Sequence, residues 1–571
     1  MKNVKSFVIL GIIVLLLALF SMYYSNAATY KIEAYGEANI QEDIFNPLIA
    51  KSVNTKALSL TSGDYTIRQT DGIYMNEQMQ LMIPSDKIME LFSCSAELYN
   101  NKKLVIKKYD TTLIFYLNKT EYELNGKKYD TKIAPTKKDG CFYAPANIIA
   151  DALEYEYVWS IDDNVATLTN VSKKKSIVPS SYDLRDEDRD TDIFDQGRYG
   201  TCWAFSAITS IESILSPEES VSFSVDHMSI SNSFAASQNE GGDYTMGMAY
   251  LAAWQGPVYE KDDPYGDNKS DDSLEAVKHV QQMQLIEDKD YETIKEYVML
   301  YGGVQTSLYN SLSNSFSGNE YYDRNTSAYY YYGSERPNHD VVIIGWDDDY
   351  PKENFATLPE DDGAFICQNS WGYEFGENGY FYVSYYDTDI GLNNVAYTRI
   401  DDSDNYDNIY QTDLCGWVGQ IGYGSDGVYG ANVYHASSKQ DVCAAGFYAT
   451  GENTEYEIYI CANYKRKSSL KKARLAASGT LDKAGYYTID FDRNIRVKKG
   501  RDFAVILHIA TEDEEHPLAI EYNADEATED VDLKDGTGFI SMSGEKWVDI
   551  EEGYSCNICL KAFTNNVDED D

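Results

Sequence analysis

Three side chains that can together cleave an amide bond through a thiol stand far apart in the middle of the chain: Cys202, His339 and Asn369. In this chemistry the thiolate is the nucleophile, so the thiol must lose its proton to a nearby base. A histidine takes that proton and later gives it to the leaving amine, while a third group orients the imidazole. Hydrogen-bond donors must also stabilise the oxyanion that forms on the carbonyl.

The segment around Cys202 predicts an element that suits a nucleophile. Cys202 opens an apolar run rich in alanine and serine, Trp203 to Leu215, whose pattern predicts a helix. A cysteine at a helix N-terminus lies at the positive end of the helix dipole, which favours the thiolate. Its own N–H and the side-chain amide of Gln196, just upstream, are the expected oxyanion donors.

The choice of histidine rests on its neighbours. Residues 178–400 contain His227, His279 and His339. We interpret His279 as part of a polar helical surface and His227 as a packing or surface residue. Only His339 directly precedes an apolar, strand-like run, Val341 to Ile344, that can hold it rigidly. A lone cysteine, histidine or asparagine is most often an ordinary core residue, so the prediction depends on their occurring together.

Bulk composition limits the class of protein. The chain has 571 residues, 43% of them hydrophobic and 25% charged, which predicts several globular domains. Its formal net charge is −45, and so acidic a surface repels phosphate. We therefore expect no nucleic-acid partner, and the charge fits a soluble secreted protein.

The N-terminus indicates export. Lys2 and Lys5 precede an apolar run, Phe7 to Phe20, and small residues follow up to Ala28. This pattern predicts a signal peptide over residues 1–27 and a secreted, extracellular protein. The alternative is a retained membrane anchor, because the apolar stretch is almost long enough to span a bilayer.

The rest of the sequence divides into a linker, a small repeat-containing domain, the domain that contains Cys202 and a strand-rich region. We predict a linker over 28–60, a small α+β domain over 61–172, the thiol-containing domain over 178–400 and a β-sandwich over 407–565. In the small domain, Pro84 and Pro145 each follow a strand and precede a helix, which indicates two copies of one unit. Asn125-Gly126 predicts a tight turn.

Cysteine usage gives weaker information. The chain has nine cysteines, and an odd number outside the cytoplasm leaves at least one free thiol or an intermolecular disulfide bond. Cys556 and Cys559 have the spacing of a zinc ligand pair, but no second pair completes a site. We interpret them as buried apolar thiols and expect no metal and no cofactor.

The blocks Gln196 to Ser206, Asn338 to Trp346 and Cys367 to Gly372 closely resemble the papain family of cysteine proteases and occur in the family's order. The resemblance implies an α+β domain with a helical lobe and a β-barrel-like lobe. It implies that Cys202 is the nucleophile, His339 the acid/base, Asn369 the group that orients His339, and Gln196 an oxyanion donor. By the same resemblance, Gly241 and Gly242 bind the substrate backbone.

Asp340 is a departure from the family pattern, which usually has alanine directly after the histidine. We interpret its carboxylate either as raising the pKa of His339 or as pointing to solvent.

Two flanking regions also resemble known families. Residues 61–172 resemble the copper amine oxidase N-terminal-like domain through Asn125 to Tyr129 and Tyr143 to Pro145. No histidine lies in 61–170, so we expect a stalk, a surface module or a pro-region rather than a copper site. The stretch Gly538 to Trp547 resembles the lectin-like domain of bacterial surface-associated papain-like proteases, which implies cell-wall or surface glycans as partners.

Together these observations predict a secreted or wall-associated cysteine endopeptidase that hydrolyses extracellular or surface proteins through an acyl-enzyme. One alternative is a catalytically silent adhesin or glycan-binding protein, and another is a thiol amidase or transpeptidase on the same fold. The acidic run Asp401 to Asp407 suits Ca²⁺ binding, with a solvated linker as the alternative.

Overall fold

The computed structural model describes residues 58–567 except 63–64, 77–79, 93, 100–101, 109–110, 132, 139, 154, 161–164, 171–177, 313–317, 426, 513 and 535. The predicted signal peptide lies outside the described residues, as does the predicted linker up to residue 57. Within the described part of the chain, no helix combines the length and apolar character needed to cross a membrane.

The N-terminal domain contains three small sheets and two short helices around one apolar core. Its helices are α1 (Ile88–Phe92) and α2 (Ala146–Ala152). Its strands are β1 (Ser59–Ser62), β2 (Tyr65–Arg68), β3 (Tyr74–Met75), β4 (Leu81–Pro84), β5 (Ser95–Tyr99), β6 (Lys103–Lys108), β7 (Thr111–Tyr116), β8 (Glu121–Leu124), β9 (Lys127–Asp130), β10 (Thr136–Lys138), β11 (Cys141–Pro145), β12 (Tyr155–Ser160) and β13 (Val165–Asn170).

The internal repeat is visible in this domain. Strands β4 and β11 pair antiparallel, and each ends in a proline followed by a short helix. Asn125 (φ 50°) and Gly126 (φ 75°) form the turn between β8 and β9, and positive φ at both positions is typical of a type I′ hairpin. The predicted start at residue 61 was late, because Leu58 is buried and Ser59 begins β1, which pairs with β13.

The central domain has a helical lobe and a sheet lobe, each with its own apolar core, as the predicted fold class requires. The helices are α3 (Cys202–Leu215), α4 (Val225–Ile230), α5 (Tyr244–Ala252) and α6 (Tyr291–Leu300). The strands are β14 (Ser181–Asp183), β15 (Lys278–Ile286), β16 (Val304–Leu308), β17 (Tyr322–Asp323), β18 (Ala328–Tyr329), β19 (His339–Asp347), β20 (Ala364–Gln368), β21 (Tyr380–Ser384) and β22 (Leu392–Asp402).

The interpretation of His279 as part of a helical surface was wrong. His279 is buried in strand β15, where its ring stacks on Trp254 with centroids 3.5 Å apart. The polar residues around it misled the pattern, because Lys278 is itself buried and pairs with Glu219 and Asp402. From sequence alone, a buried lysine that forms ion pairs cannot be told apart from a surface lysine.

The C-terminal domain is a β-sandwich whose two sheets enclose a large apolar core. Its helix is α7 (Ile550–Tyr554). Its strands are β23 (Asn408–Tyr410), β24 (Gly419–Ile421), β25 (Gly427–Ala436), β26 (Gln440–Ala449), β27 (Thr454–Tyr464), β28 (Arg474–Leu481), β29 (Gly485–Val497), β30 (Arg501–Ala510), β31 (Leu518–Glu521), β32 (Gly538–Ser541), β33 (Val548–Asp549), β34 (Asn557–Ile558) and β35 (Leu560–Asn566).

The central and C-terminal domains share one continuous sheet. Strand β15 of the central domain pairs with β29 of the C-terminal domain, so the sheet of the central domain continues into one face of the sandwich. Gly485 is paired with Gln284 at this junction, and a Cβ at Gly485 would lie 2.1 Å from the carbonyl oxygen of Met283. Only glycine allows the two strands to approach this closely.

Candidate active site

Cys202 is the first residue of helix α3, as the sequence predicted. The rest of the helix from Trp203 to Ser213 is buried, whereas Cys202 stays partly exposed. The helix packs on strand β19, and its small residue Ala207 lies against helix α5, where a Cβ on Gly247 would be 3.4 Å from the Cβ of Ala207. A buried helix thus presents one accessible thiol at its positive end.

Two glycine-containing loops meet in front of this helix start. The N–H of Gly200 donates to the carbonyl of Gln238 at 2.7 Å, and a Cβ on Gly200 would lie 2.7 Å from the Cα of Gly241. A Cβ on Gly242 would lie 2.5 Å from Nε1 of Trp203. The predicted substrate-binding glycines therefore lie against the turn that carries Cys202.

His339 and Asn369 meet across neighbouring strands. His339 begins β19, Asn369 directly follows β20, and the two strands pair antiparallel. Nε2 of His339 and Oδ1 of Asn369 are 2.8 Å apart. The amide oxygen accepts only, so Nε2 carries the proton and Nδ1 is left free to act as a base. Trp371 stacks on the imidazole with ring centroids 4.7 Å apart.

Cys202 is linked to strand β19 through the residue after the histidine. The pKa of the Cys202 thiol is lowered by the main-chain N–H groups of Asp340, Trp203 and Cys202 itself, although burial raises it more. Helix α3 packs on strand β19, and Asp340 directly follows His339 at the start of that strand, so the thiol lies near the first residue of β19. The structure therefore brings the three predicted side chains to one place.

Gln196 is fixed by a residue that the sequence did not single out. Its Oε1 accepts from Ser370 Oγ at 2.6 Å, and its N–H donates to the Ser370 carbonyl at 2.7 Å. Its side-chain Nε2 donates to the carbonyl of Tyr199 at 2.7 Å, which leaves the second amide hydrogen free. The position of Ser370 next to Asn369 was the only signal available, since a serine has no distinctive pattern of its own.

Burial disfavours the thiolate of Cys202 and the imidazolium of His339 when only one of the two is charged. It raises the pKa of Cys202 to about 12, and the Asp340 carboxylate adds to this effect. It also lowers the pKa of His339 to about 4, although the hydrogen bond that His339 donates to Asn369 opposes the shift. A thiolate is therefore stable here only together with an imidazolium beside it.

Both interpretations of Asp340 were wrong. The carboxyl is buried rather than directed to solvent, and it accepts from Ser307 Oγ at 2.7 Å and from Gln305 Nε2 at 3.0 Å. Nor does it raise the pKa of His339, whose shift comes from burial opposed by Asn369. The sequence could not show this, because Ser307 and Gln305 lie opposite Asp340 only once β16 pairs with β19.

The acidic run proposed for calcium is largely occupied by ion pairs. Asp401 pairs with Arg399 at 2.7 Å, and Asp402 pairs with Lys278 at 2.6 Å. Within the residues that the structure describes, no cluster of three or more histidine, cysteine, aspartate or glutamate side chains suits a metal ion.

No disulfide bond joins any of the nine cysteines, all of which lie within the described residues. Cys202 and Cys141 are partly exposed and the other seven are buried, including Cys556 and Cys559. Cys141 lies in the N-terminal domain on strand β11. Cys202 is thus the one accessible thiol among the described residues that lies at a helix N-terminus.

Comparison with known families agrees with this geometry. The family model "Papain family cysteine protease" matches residues 178–400, "Lectin like domain" matches 409–564, and "Copper amine oxidase N-terminal domain" matches 66–168. The chain thus carries a papain-family cysteine protease domain, preceded by a copper amine oxidase N-terminal domain and followed by a lectin-like domain.

Solved structures share the two larger domains. The clostridial cysteine protease Cwp84 after propeptide cleavage is 25% identical with a TM-score of 0.61, covering 68% of this chain and 100% of its own. The cysteine protease and lectin-like domains of Cwp84, described as a surface layer associated protein of Clostridium difficile, give a TM-score of 0.59 at 25% identity, covering 68% of this chain and 89% of their own.

A curated relative is similar over the protease region. Cathepsin F of Drosophila melanogaster is 28% identical over 268 residues, which is 44% of this chain. The aligned region spans only 42% of that relative's own length.

Proposed function

We propose that the protein is a cysteine endopeptidase that hydrolyses peptide bonds of extracellular or surface proteins through a thiolate acyl-enzyme. The observation that carries this proposal is the meeting of a helix-start thiol with a paired histidine and asparagine. The thiol, the imidazole and the amide come from α3, from the start of β19 and from the end of β20. This is the arrangement that thiol-based acyl transfer needs.

In the proposed mechanism, Nδ1 of His339 takes the proton of Cys202, and the thiolate attacks the substrate carbonyl carbon. The oxyanion accepts hydrogen bonds from the N–H of Cys202 and the free amide hydrogen of Gln196. Imidazolium then protonates the leaving amine, and the acyl-thioester remains on Cys202. His339 next deprotonates a water, which attacks the thioester and releases the acid and the thiol. Asn369 holds the ring in the correct tautomer throughout.

Gly241 and Gly242 are proposed to bind the main chain of an extended substrate. They lie against the Cys202 turn, and without side chains they leave their own N–H and C=O groups accessible. Main-chain pairing of this kind holds a peptide in an extended conformation without selecting its sequence.

The flanking domains suggest where the enzyme acts. We propose an extracellular, surface-associated location, with the lectin-like domain binding surface glycans; the description of Cwp84 as surface layer associated supports this. Whether residues 61–172 act as a stalk, a surface module or a pro-region, and whether Asp401 to Asp407 binds Ca²⁺, stay predictions.

Proteolysis of an unfolded protein substrate tests the proposal. Purified protein should fragment reduced and alkylated casein, Cys202→Ala should abolish the fragmentation, and Cys141→Ala should retain it. No fragmentation by the wild type would favour the silent adhesin. Fragments joined to an added amine, instead of hydrolysed ends, would favour the transpeptidase.

A further inference from the structure

Asp340 is a buried carboxylate beside the nucleophile with no cation to balance it. It is 7% exposed, and its two oxygens accept only from the neutral donors Ser307 and Gln305. Among the described residues, no lysine, arginine or histidine forms an ion pair with it. Burying a carboxylate without a counter-charge is costly, so its retention at this place calls for a function.

The carboxylate is held rigidly by a network of hydrogen bonds. Gln305 Nε2 also reaches the carbonyl of Trp203 at 3.3 Å, and Gln305 Oε1 accepts from Tyr397 at 2.8 Å. Ser307 Oγ accepts from Asn393 Nδ2 at 3.2 Å. Each carboxylate oxygen of Asp340 uses one lone pair in this network, which leaves a second on each for a further donor.

Asp340 lies next to two residues of the candidate site. It directly follows His339 at the start of β19, and Gln305, which donates to its carboxylate, also reaches the carbonyl of Trp203, the residue after Cys202. The carboxylate therefore lies close to the start of α3. Burial raises the pKa of Tyr244, just after Gly241 and Gly242, and the charge of Asp340 adds to this effect.

Further negative charge lies on two exposed residues near Tyr244. Asp243 and Asp288 are exposed, and both act electrostatically on the ring of Tyr244 together with Asp340. Lys289, which directly follows Asp288, donates its ammonium to the carbonyls of Asp387 and Ile390. The resulting field attracts a cation and repels an acidic side chain.

We propose that Asp340 forms the floor of a subsite that binds a lysine or arginine side chain of the substrate, at one of the two residues before the scissile bond. The inference rests on the proposed protease function and adds a substrate class to it. The incoming ammonium or guanidinium supplies the counter-charge that the buried carboxylate lacks, in a charge-assisted hydrogen bond.

Matched peptides test the subsite. A fluorogenic peptide series carries lysine, N-acetyl-lysine or norleucine at each of the two positions before the cleaved bond. Wild type should cleave the lysine peptide with a kcat/KM about tenfold or more above its N-acetyl-lysine counterpart at one position. Because acetylation keeps the length of the side chain and removes its charge, this comparison needs no variant. Equal rates at both positions would overturn the inference.

The variant Asp340→Asn assigns the preference to this residue. Asparagine can accept from Gln305 and donate to Ser307, so the network can persist without the charge. The lysine preference should fall to within about threefold, while cleavage of the norleucine peptide persists. Asp349→Asn, an exposed aspartate of the same domain, should keep the full preference. An unchanged preference in Asp340→Asn would also overturn the inference.

The failure of this inference can be told apart from that of the proposed function. Wild type that cleaves the peptides and reacts with a thiol-protease probe, but shows no charge preference, contradicts the subsite alone. Wild type that cleaves none of the peptides and is not labelled contradicts the protease function, and the subsite with it.

Discussion

At the scale of single residues, the thiol and the imidazole depend on each other for charge. Burial raises the pKa of Cys202 to about 12 and lowers that of His339 to about 4, so neither is charged alone near neutral pH. Three main-chain N–H groups oppose the shift at the thiol without cancelling it. We therefore expect the reactivity of Cys202 to require the histidine rather than the helix dipole alone.

Removing the imidazole tests this dependence. In His339→Ala, alkylation of Cys202 by iodoacetamide near pH 7 should slow at least about tenfold, and its pH profile should move to higher pH. The rate is followed by mass spectrometry of the peptide that contains Cys202. His435→Ala, an exposed histidine in the lectin-like domain, serves as control and should change neither quantity. Unchanged alkylation in His339→Ala would show that the thiol is activated without its proposed partner.

The sequence predicted the elements that carry the candidate site better than the surroundings of its side chains. The helix start at Cys202 and the strand that begins at His339 follow from local patterns, and the structure has both. The meeting of His339 with Asn369 depends on the pairing of β19 with β20, and local pattern cannot give it. The prediction that His339 and Asn369 meet came from the resemblance to the papain family instead. The burial of Asp340 depends on its opposite strand and was missed for the same reason.

At the scale of elements, helix α3 carries the nucleophile and also a buried acid. Glu212 is 2% exposed and accepts from the N–H of Phe223 at 2.7 Å. Burial raises its pKa to about 8, so the folded protein binds this proton more tightly than the unfolded chain does. The cost of ionising the buried carboxyl therefore builds up as the pH rises above its unfolded pKa, and it is complete once the pH exceeds about 8.

The variant Glu212→Gln measures this cost. Glutamine keeps the acceptor oxygen for Phe223 and removes the buried charge, so the free energy of unfolding at pH 8 should rise by about 2 kcal/mol. Chemical denaturation provides the measurement, and Glu218→Gln, an exposed neighbour, should give no change. A lower stability in Glu212→Gln would mean that the ionised carboxylate has a favourable partner.

The loop that contains Gly241 and Gly242 offers a steric test at the same scale. In Gly242→Ala the new Cβ would lie 2.5 Å from Trp203 Nε1 and 2.7 Å from Met246 Sδ, so the loop must move away from α3. We expect kcat/KM for peptides to fall about tenfold while alkylation of Cys202 continues. Gly553→Ala meets only Val548 at 3.4 Å and should leave both unchanged. Full activity in Gly242→Ala would separate this loop from substrate binding.

At the scale of the whole molecule, the domains are joined more closely than the sequence suggested. The predicted boundary near residue 400 marks a change of pattern, yet β15 and β29 pair across it. Arg68 of the N-terminal domain is also buried, pairs with Asp492 and donates to the carbonyl of Asp490 in the sandwich. Long-range pairing of this kind leaves no local signature, so sequence reasoning gave separate domains and could not predict their contacts.

The buried acids predict how stability depends on pH. Burial raises the pKa of Glu212 to about 8 and those of Glu260 and Glu521 to about 7. Each folded-state pKa lies above the unfolded value, so stability is lost as the pH rises through it. Burial lowers the pKa of His227, His279 and His339, so these three groups act in the opposite direction, chiefly at pH values up to about 7.

The midpoint of thermal unfolding should therefore fall as the pH rises from about 6.5 to about 8. Self-repulsion within a chain of net charge −45 acts in the same direction. Calorimetry at constant ionic strength provides the measurement, and Glu212→Gln should flatten the slope. A midpoint that rises over this interval would contradict the assignment of these acids as protonated in the fold.

The central claim is that Cys202 is the catalytic thiol of a papain-family protease, and one labelling measurement tests it most directly. The purified protein is incubated with an epoxide probe that reacts with thiol proteases, and the modified residue is located by peptide mass spectrometry. The account predicts one added probe per chain, on Cys202, and no labelling of Cys202→Ala. Labelling of another cysteine, equal labelling of both proteins, or none of the correctly folded wild type would contradict it.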